Sequence, residues 1–115
     1  MKPVRLVLSR RSGFDLQALS QTTNGLQAQS VARPGRWGNP FSVGAIAEEM
    51  GIPADAARAE AVRRHRLWLA GQLEIDRPPP DPATIRAELG GKNLACWCSS
   101  DGPCHADTLI SVANP

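Results

Sequence analysis

The chain has 115 residues, enough for one domain and too few for a second independent core. Its 42% hydrophobic content with 10 Gly and 10 Pro fits a globular domain with rigid loops and excludes a disordered chain. With 13 Lys+Arg against 11 Asp+Glu, a net charge of +2 is too balanced to argue by itself for a nucleic-acid coat protein or a membrane-surface binder.

Residues 4–8, rich in branched apolar side chains, read as a first strand, broken by 10–13. Residues 14–25 are ambiguous, a Gln-, Ser- and Thr-rich stretch closing on the turn signal Asn24-Gly25. A second strand is expected around 26–32. The stretch 33–41 holds Pro34, Gly35, Gly38 and Pro40 and reads as a stiff loop. The strongest helix runs from Ala54 or Asp55 to Ala70, with Pro53 at its boundary, Asp55 as N-cap and Gly71 as stop. Positions 58, 61, 62, 65, 68 and 69 share one face of it, while Arg63, Arg64 and Arg66 lie largely outside and form a solvated side.

Residues 77–82 form a proline-rich spacer, followed by a short helix over 83–89 that stops at Gly90-Gly91. Residues 93–98 read as a buried strand and 99–102 as a turn. A last helix is expected over 103–112, with Pro103 at its first position and Ser100 or Asp101 as its cap. The order β-β-α-α-β-α predicts an α/β fold: a small open sheet in a single domain over 1–115, helices packed on it, parallel at least around the last strand.

The chemistry is concentrated near the end. Three cysteines, Cys96, Cys98 and Cys104, do not resemble a secreted disulfide framework. The opening residues lack the apolar run of a signal peptide, and no stretch approaches the roughly 20 apolar residues of a membrane span. A reducing cytoplasm is the expected location. Strand alternation predicts Cys96 and Cys98 on one face and Trp97 packed on the other. Cys104 and His105 would open the last helix, where free N–H groups and the helix dipole favour an anion and lower a thiol's pKa.

Three readings of this segment stand side by side. Cys96, Cys98, Cys104 and His105 make a tetrahedral zinc set. Adjacent Cys104 and His105 converge awkwardly from a helix, so His65 is an alternative fourth ligand. Alternatively, Cys104 is a reactive thiol with His105 or Asp107 beside it, a catalytic arrangement at a strand–helix junction of the kind that binds ligands in open α/β sheets. Or the cysteines are ordinary core residues and His105 a capping side chain.

A second cluster lies in the stiff loop. Arg33, Arg36, Trp37 and Asn39 are suited to stacking a base and clamping a phosphate. The alternative has Trp37 and Phe41 plugging the core while Asn39 satisfies backbone groups. His65, on the apolar helix face, fits a hydrogen-bonded core histidine better than a ligand. Lys92 joins the ligand-binding candidates for its nearness to the cysteine strand.

Arg33-Pro34-Gly35-Arg36-Trp37-Gly38-Asn39-Pro40-Phe41 resembles the R-P-x-x-W-G-N-P-F motif of a family of small bacterial and phage proteins, a domain of unknown function. Gly91-Lys92-Asn93-Leu94-Ala95-Cys96-Trp97-Cys98 and Pro103-Cys104-His105-Ala106-Asp107 resemble its second motif, G-K-x-L-x-C-W-C followed by P-C-H-A-D. The helix text around Arg66-Leu67-Trp68-Leu69 is similar too, with His65 where the family more often has tyrosine, while residues 14–29 depart from the family's shorter link. The resemblance names relatives without naming a reaction.

The sequence leads to a nucleotide- or nucleic-acid-binding protein, or one for another anionic small molecule, with a possible zinc site and no membrane partner. An enzyme of nucleotide or nucleic-acid modification, or a protein-interaction module, is the alternative. Both motifs are expected to converge, with the cysteine strand central and the Trp37 loop folded over its C-terminal end.

Overall fold

A computed structural model describes residues 2–99 and 101–115. Three short strands, β1 (Arg5–Val7), β2 (Ala28–Ser30) and β3 (Asn93–Cys96), form a sheet in the order β1-β3-β2 with both pairings parallel. Leu6 pairs with Ala95 and Ser30 with Ala95 across the sheet, so β3 is central and buried along its whole length. A central parallel strand is covered on both faces, which is why its four residues carry no polar–apolar alternation. The α/β class is as expected.

Five helices accompany the sheet among the described residues: α1 (Leu16–Asn24), α2 (Val43–Met50), α3 (Ala54–Leu69), α4 (Pro82–Leu89) and α5 (His105–Ala113). Two of them are absent from the sequence-derived order. In α1, Asp15 caps the start by accepting from the Ala18 N–H and Gly25 ends it at a φ of 77°. Its polar residues serve the sheet: the Gln17 amide exchanges two hydrogen bonds with the Ala28 backbone, at 2.8 and 2.9 Å. Gln17 thereby closes part of the exposed edge of β2, a position that otherwise invites pairing with another chain. The second added helix, α2, is capped by Ser42 on the Ala45 N–H and stopped by Gly51 at a φ of 63°.

Boundaries shift at two expected caps. The N-cap position of α3 is Pro53, with Asp55 in the first turn instead. Helix α5 begins at His105, with Cys104 at the N-cap, so Pro103 precedes the helix rather than opening it. Ser100, one of the expected caps, lies outside the described residues, and Asp101 is in the turn before Pro103.

The sheet separates two apolar layers. Leu6, Ala28 and Ala95 face Leu16 of α1. On the other face Val31, Leu94 and Cys96 join Trp68, Ile85, Leu89 and Leu109 from α3, α4 and α5 in the main core. Each fully buried aliphatic side chain contributes roughly 1.5–3 kcal/mol. At the entrance of β3, Asn93 is fully buried and satisfied: it accepts from the Val4 N–H at 2.9 Å and donates to Ser20 and Asn24, both at 2.7 Å. The proline-rich spacer crosses Trp68, whose indole N–H donates to the Arg77 carbonyl at 2.9 Å.

Candidate metal centre

At the C-terminal end of β3 the chain brings together the three cysteines and His105. Cys96 is the last strand residue, Cys104 the N-cap of α5 and His105 its first residue. The ligating atoms of Cys96, Cys104 and His105 all lie within 4.8 Å of one another, and all three residues are buried. Cys98 is half-buried, with its Sγ 3.6 Å from Cys96 Sγ. Cys104 Sγ stands 3.9 Å from His105 Nδ1. A tetrahedral zinc with ~2.3 Å bonds to sulfur and ~2.0 Å bonds to nitrogen separates its ligand atoms by about 3.5–3.8 Å. The four side chains are thus close together in an arrangement compatible with a metal site.

The adjacency of Cys104 and His105, awkward within a helix, is resolved by backbone conformation. Cys104 is extended, with φ −151° and ψ 141°, while His105 is already helical. The bend between the two turns both side chains to the same side. His105 Nε2 lies 2.7 Å from the Val31 carbonyl, which can only accept, so Nε2 carries the proton of that bond and Nδ1 is the ring nitrogen that faces the sulfurs. A backbone carbonyl fixing the far nitrogen is the usual outer partner of a metal-binding histidine.

The thiols are electrostatically linked. Cys96 is pulled far below the ordinary thiol range, first by hydrogen bonding from Cys104 and then from Cys98. Cys104 is pushed far up by the same bonds to Cys96 and Cys98 and by burial, which outweigh the Ala106 N–H. The expectation of a lowered pKa at Cys104 therefore fails, because neighbouring sulfurs act more strongly than the helix start. In Cys98, hydrogen bonding to Cys104 lowers the pKa, but Cys96 and burial together raise it.

His65 is buried beside this group, its ring 5.2 Å from that of His105 and 5.9 Å from that of Trp68. Burial, then the His105 and Arg77 charges, hold its pKa at about 3. It stands outside the trio of mutually close ligand atoms.

A cavity of about 200 Å³ opens onto the sulfurs, lined among others by Arg33, Asn39, Phe41, Arg58, Trp97 and Cys98. The loop motif and the cysteine motif thus meet, at the C-terminal end of a parallel strand, where open α/β sheets place ligands. The loop residues divide between roles. Arg33 lines the cavity. Asn39 lines it too, but its amide donates to the Ala61 carbonyl at 3.1 Å and accepts from the Phe41 N–H at 2.9 Å, tying the loop to α3. Trp37 is a core residue, with the Arg36 guanidinium 4.8 Å from its ring and Arg36 paired to Glu88 at 2.7 Å, away from the cavity. Lys92 sits at the opposite end of β3 from the sulfurs. Asp107 is 58% exposed and pairs with Arg5 at 3.1 Å.

Three participants escape a reading of the sequence. Arg58, on α3, lines the cavity as well. Arg5, in β1, donates to the Ser99 and Gly102 carbonyls at 3.2 and 2.9 Å and so ties down the segment between Cys98 and Cys104. Trp97 does not pack behind the strand: it is 45% exposed on the cavity rim, with the Arg10 guanidinium 4.4 Å from its ring. Alternation could not foresee this, because the strand ends at Cys96.

Among the described residues no helix is long and apolar enough to cross a membrane. No curated protein and no solved structure matches the chain. The family described as a domain of unknown function, DUF4326, matches residues 17–115, and the chain belongs to it.

Proposed function

We propose that this protein binds a nucleotide, or a nucleotide unit of a nucleic acid, in the cavity above a zinc ion held by Cys96, Cys98, Cys104 and His105. One observation carries the reading: two arginines, Arg33 and Arg58, are among the residues that line the cavity together with Cys96, Cys98, Cys104 and His105, and neither guanidinium has a hydrogen bond or salt bridge to the described residues. Arg5, Arg36, Arg63 and Arg64, by contrast, are each paired with a carboxylate. Arg58 lies close enough to Asp101 for its charge to lower that carboxyl without an ion pair between them. Two arginines outside any carboxylate ion pair suit a phosphate, which each can bind through a fork of parallel N–H bonds. Trp97 at the rim offers a face for a base, an interaction worth about 1–3 kcal/mol in single-stranded nucleic-acid binding. Thiolate ligation of zinc fits a reducing compartment such as the cytoplasm.

A nucleophilic role for Cys104 has less support. Its sulfur is buried and its pKa is raised by hydrogen bonding to Cys96 and Cys98, the reverse of an activated thiol.

Thermal denaturation of the zinc-loaded chain with inorganic phosphate and with nucleoside monophosphates tests the proposal. A ligand at 100 times its dissociation constant stabilises the fold by about 2.7 kcal/mol. Arg33→Ala and Arg58→Ala are each expected to weaken protection by about tenfold or more, since a charged hydrogen bond is worth about 1.5–3 kcal/mol. No protection by any nucleotide, or equal protection of both variants, contradicts the reading.

A further inference from the structure

The four ligands are not equivalent. Cys96, Cys104 and His105 are each set by regular structure, at the end of β3 and the start of α5, and all three are buried. Their ligating atoms form the mutually close group. Cys98 falls outside that group. It lies beyond the last strand residue, is half-buried with its Sγ near that of Cys96, and lines the same cavity as Arg33 and Arg58.

A metal with three protein ligands and a fourth position facing a cavity has the form of a reactive centre, whereas structural zinc sites are closed by four firmly held side chains. Here the fourth thiolate sits on the side from which a ligand arrives. We propose that the centre is a three-point Cys96–Cys104–His105 site with an exchangeable fourth position, normally filled by Cys98 and yielded to a phosphate-type oxyanion bound by Arg33 and Arg58. This rests on the zinc reading above and extends it from a structural ion to a Lewis acid in contact with the ligand.

The exchange balances without redox chemistry. The bond from metal to Cys98 Sγ breaks with its electron pair on sulfur, and a bond from metal to a phosphate oxygen forms. The released thiolate takes up a proton from an acidic buffer species in solvent, whose conjugate base leaves with the bulk. The metal has four ligands before and after the exchange, and the arginines offset the negative charge brought by the oxyanion.

Cobalt(II) in place of zinc in the full chain tests this, because its visible absorption reports the ligand set directly. Inorganic phosphate is the probe. In the unaltered chain, phosphate is expected to shift the visible bands and weaken the thiolate charge-transfer absorption by the contribution of one sulfur. Cys98→Ser is expected to keep close to one cobalt per chain, whereas Cys96→Ser and Cys104→Ser lower metal affinity by about 10–100-fold or more. The proposal is overturned if Cys98→Ser loses metal as completely as Cys96→Ser. It is equally overturned if saturating phosphate protects the unaltered chain from heat yet leaves its bands unmoved. The second outcome needs no variant to fold, and it leaves the phosphate-binding reading standing. Failure to take up any metal removes both.

Discussion

The hydrogen bond from His105 Nε2 to the Val31 carbonyl joins the end of β2 to the start of α5 and orients the ring toward the sulfurs. His105→Ala therefore removes a proposed metal ligand and leaves a buried carbonyl without its donor. A loss of about 1–3 kcal/mol from the carbonyl alone is expected in urea unfolding of the metal-free chain, with a larger loss when metal is present. An unchanged midpoint in both states would show that the ring is peripheral. At this scale the sequence was a good guide to residue types and a poor one to directions. The closeness of Cys96, Cys104 and His105 was legible because thiolates and an imidazole crowd into one short segment. The division of the loop was not: Arg33 and Arg36 share one motif, yet Arg33 lines the cavity while Glu88, distant in sequence, holds Arg36.

Among elements, α3 shows how an exposed face is organised. Glu60 accepts from Arg63 at 2.8 Å and from Arg64 at 2.8 Å, and hydrogen bonding from both lowers its carboxyl to about 2. A depressed carboxyl stabilises the fold above its usual value near 4.5 and loses that contribution as pH falls toward 2. Each pair is a solvent-screened helix contact of about 0.3–0.5 kcal/mol, so Glu60→Gln should cost less than about 1 kcal/mol at neutral pH. In chemical denaturation the gap between variant and parent should narrow between pH 4.5 and 2; a constant gap would place the effect elsewhere. Helix α3 was legible from its apolar spacing and Pro53. Helix α1 was not, because Gln17, Ser20 and Asn24 read as a polar turn when taken alone. Their partners are the Ala28 backbone, the Leu26 carbonyl and Asn93, contacts that exist only once the sheet has formed. Helix α2 does carry a local signal, Ser42 before an apolar Val43–Ile46 spacing and Gly51 after it, although it lies outside the expected element order.

For the molecule as a whole, the parallel order β1-β3-β2 puts a central strand's C-terminal end beside the start of α5, under the loop and against α3. Four separate segments meet there: the Arg33 loop, Arg58 on α3, the end of β3 and the start of α5. Arg5 and Asp107 bind the outer side of the same junction. The claim on which this account depends is that sulfur and imidazole at that junction ligate a metal. X-ray absorption at the zinc edge of protein purified without chelators measures this directly. One zinc per chain is expected, with a sulfur shell at ~2.3 Å and a nitrogen shell at ~2.0 Å. Protein that carries no zinc and takes none up when supplied, or zinc surrounded only by oxygen and nitrogen, would contradict it.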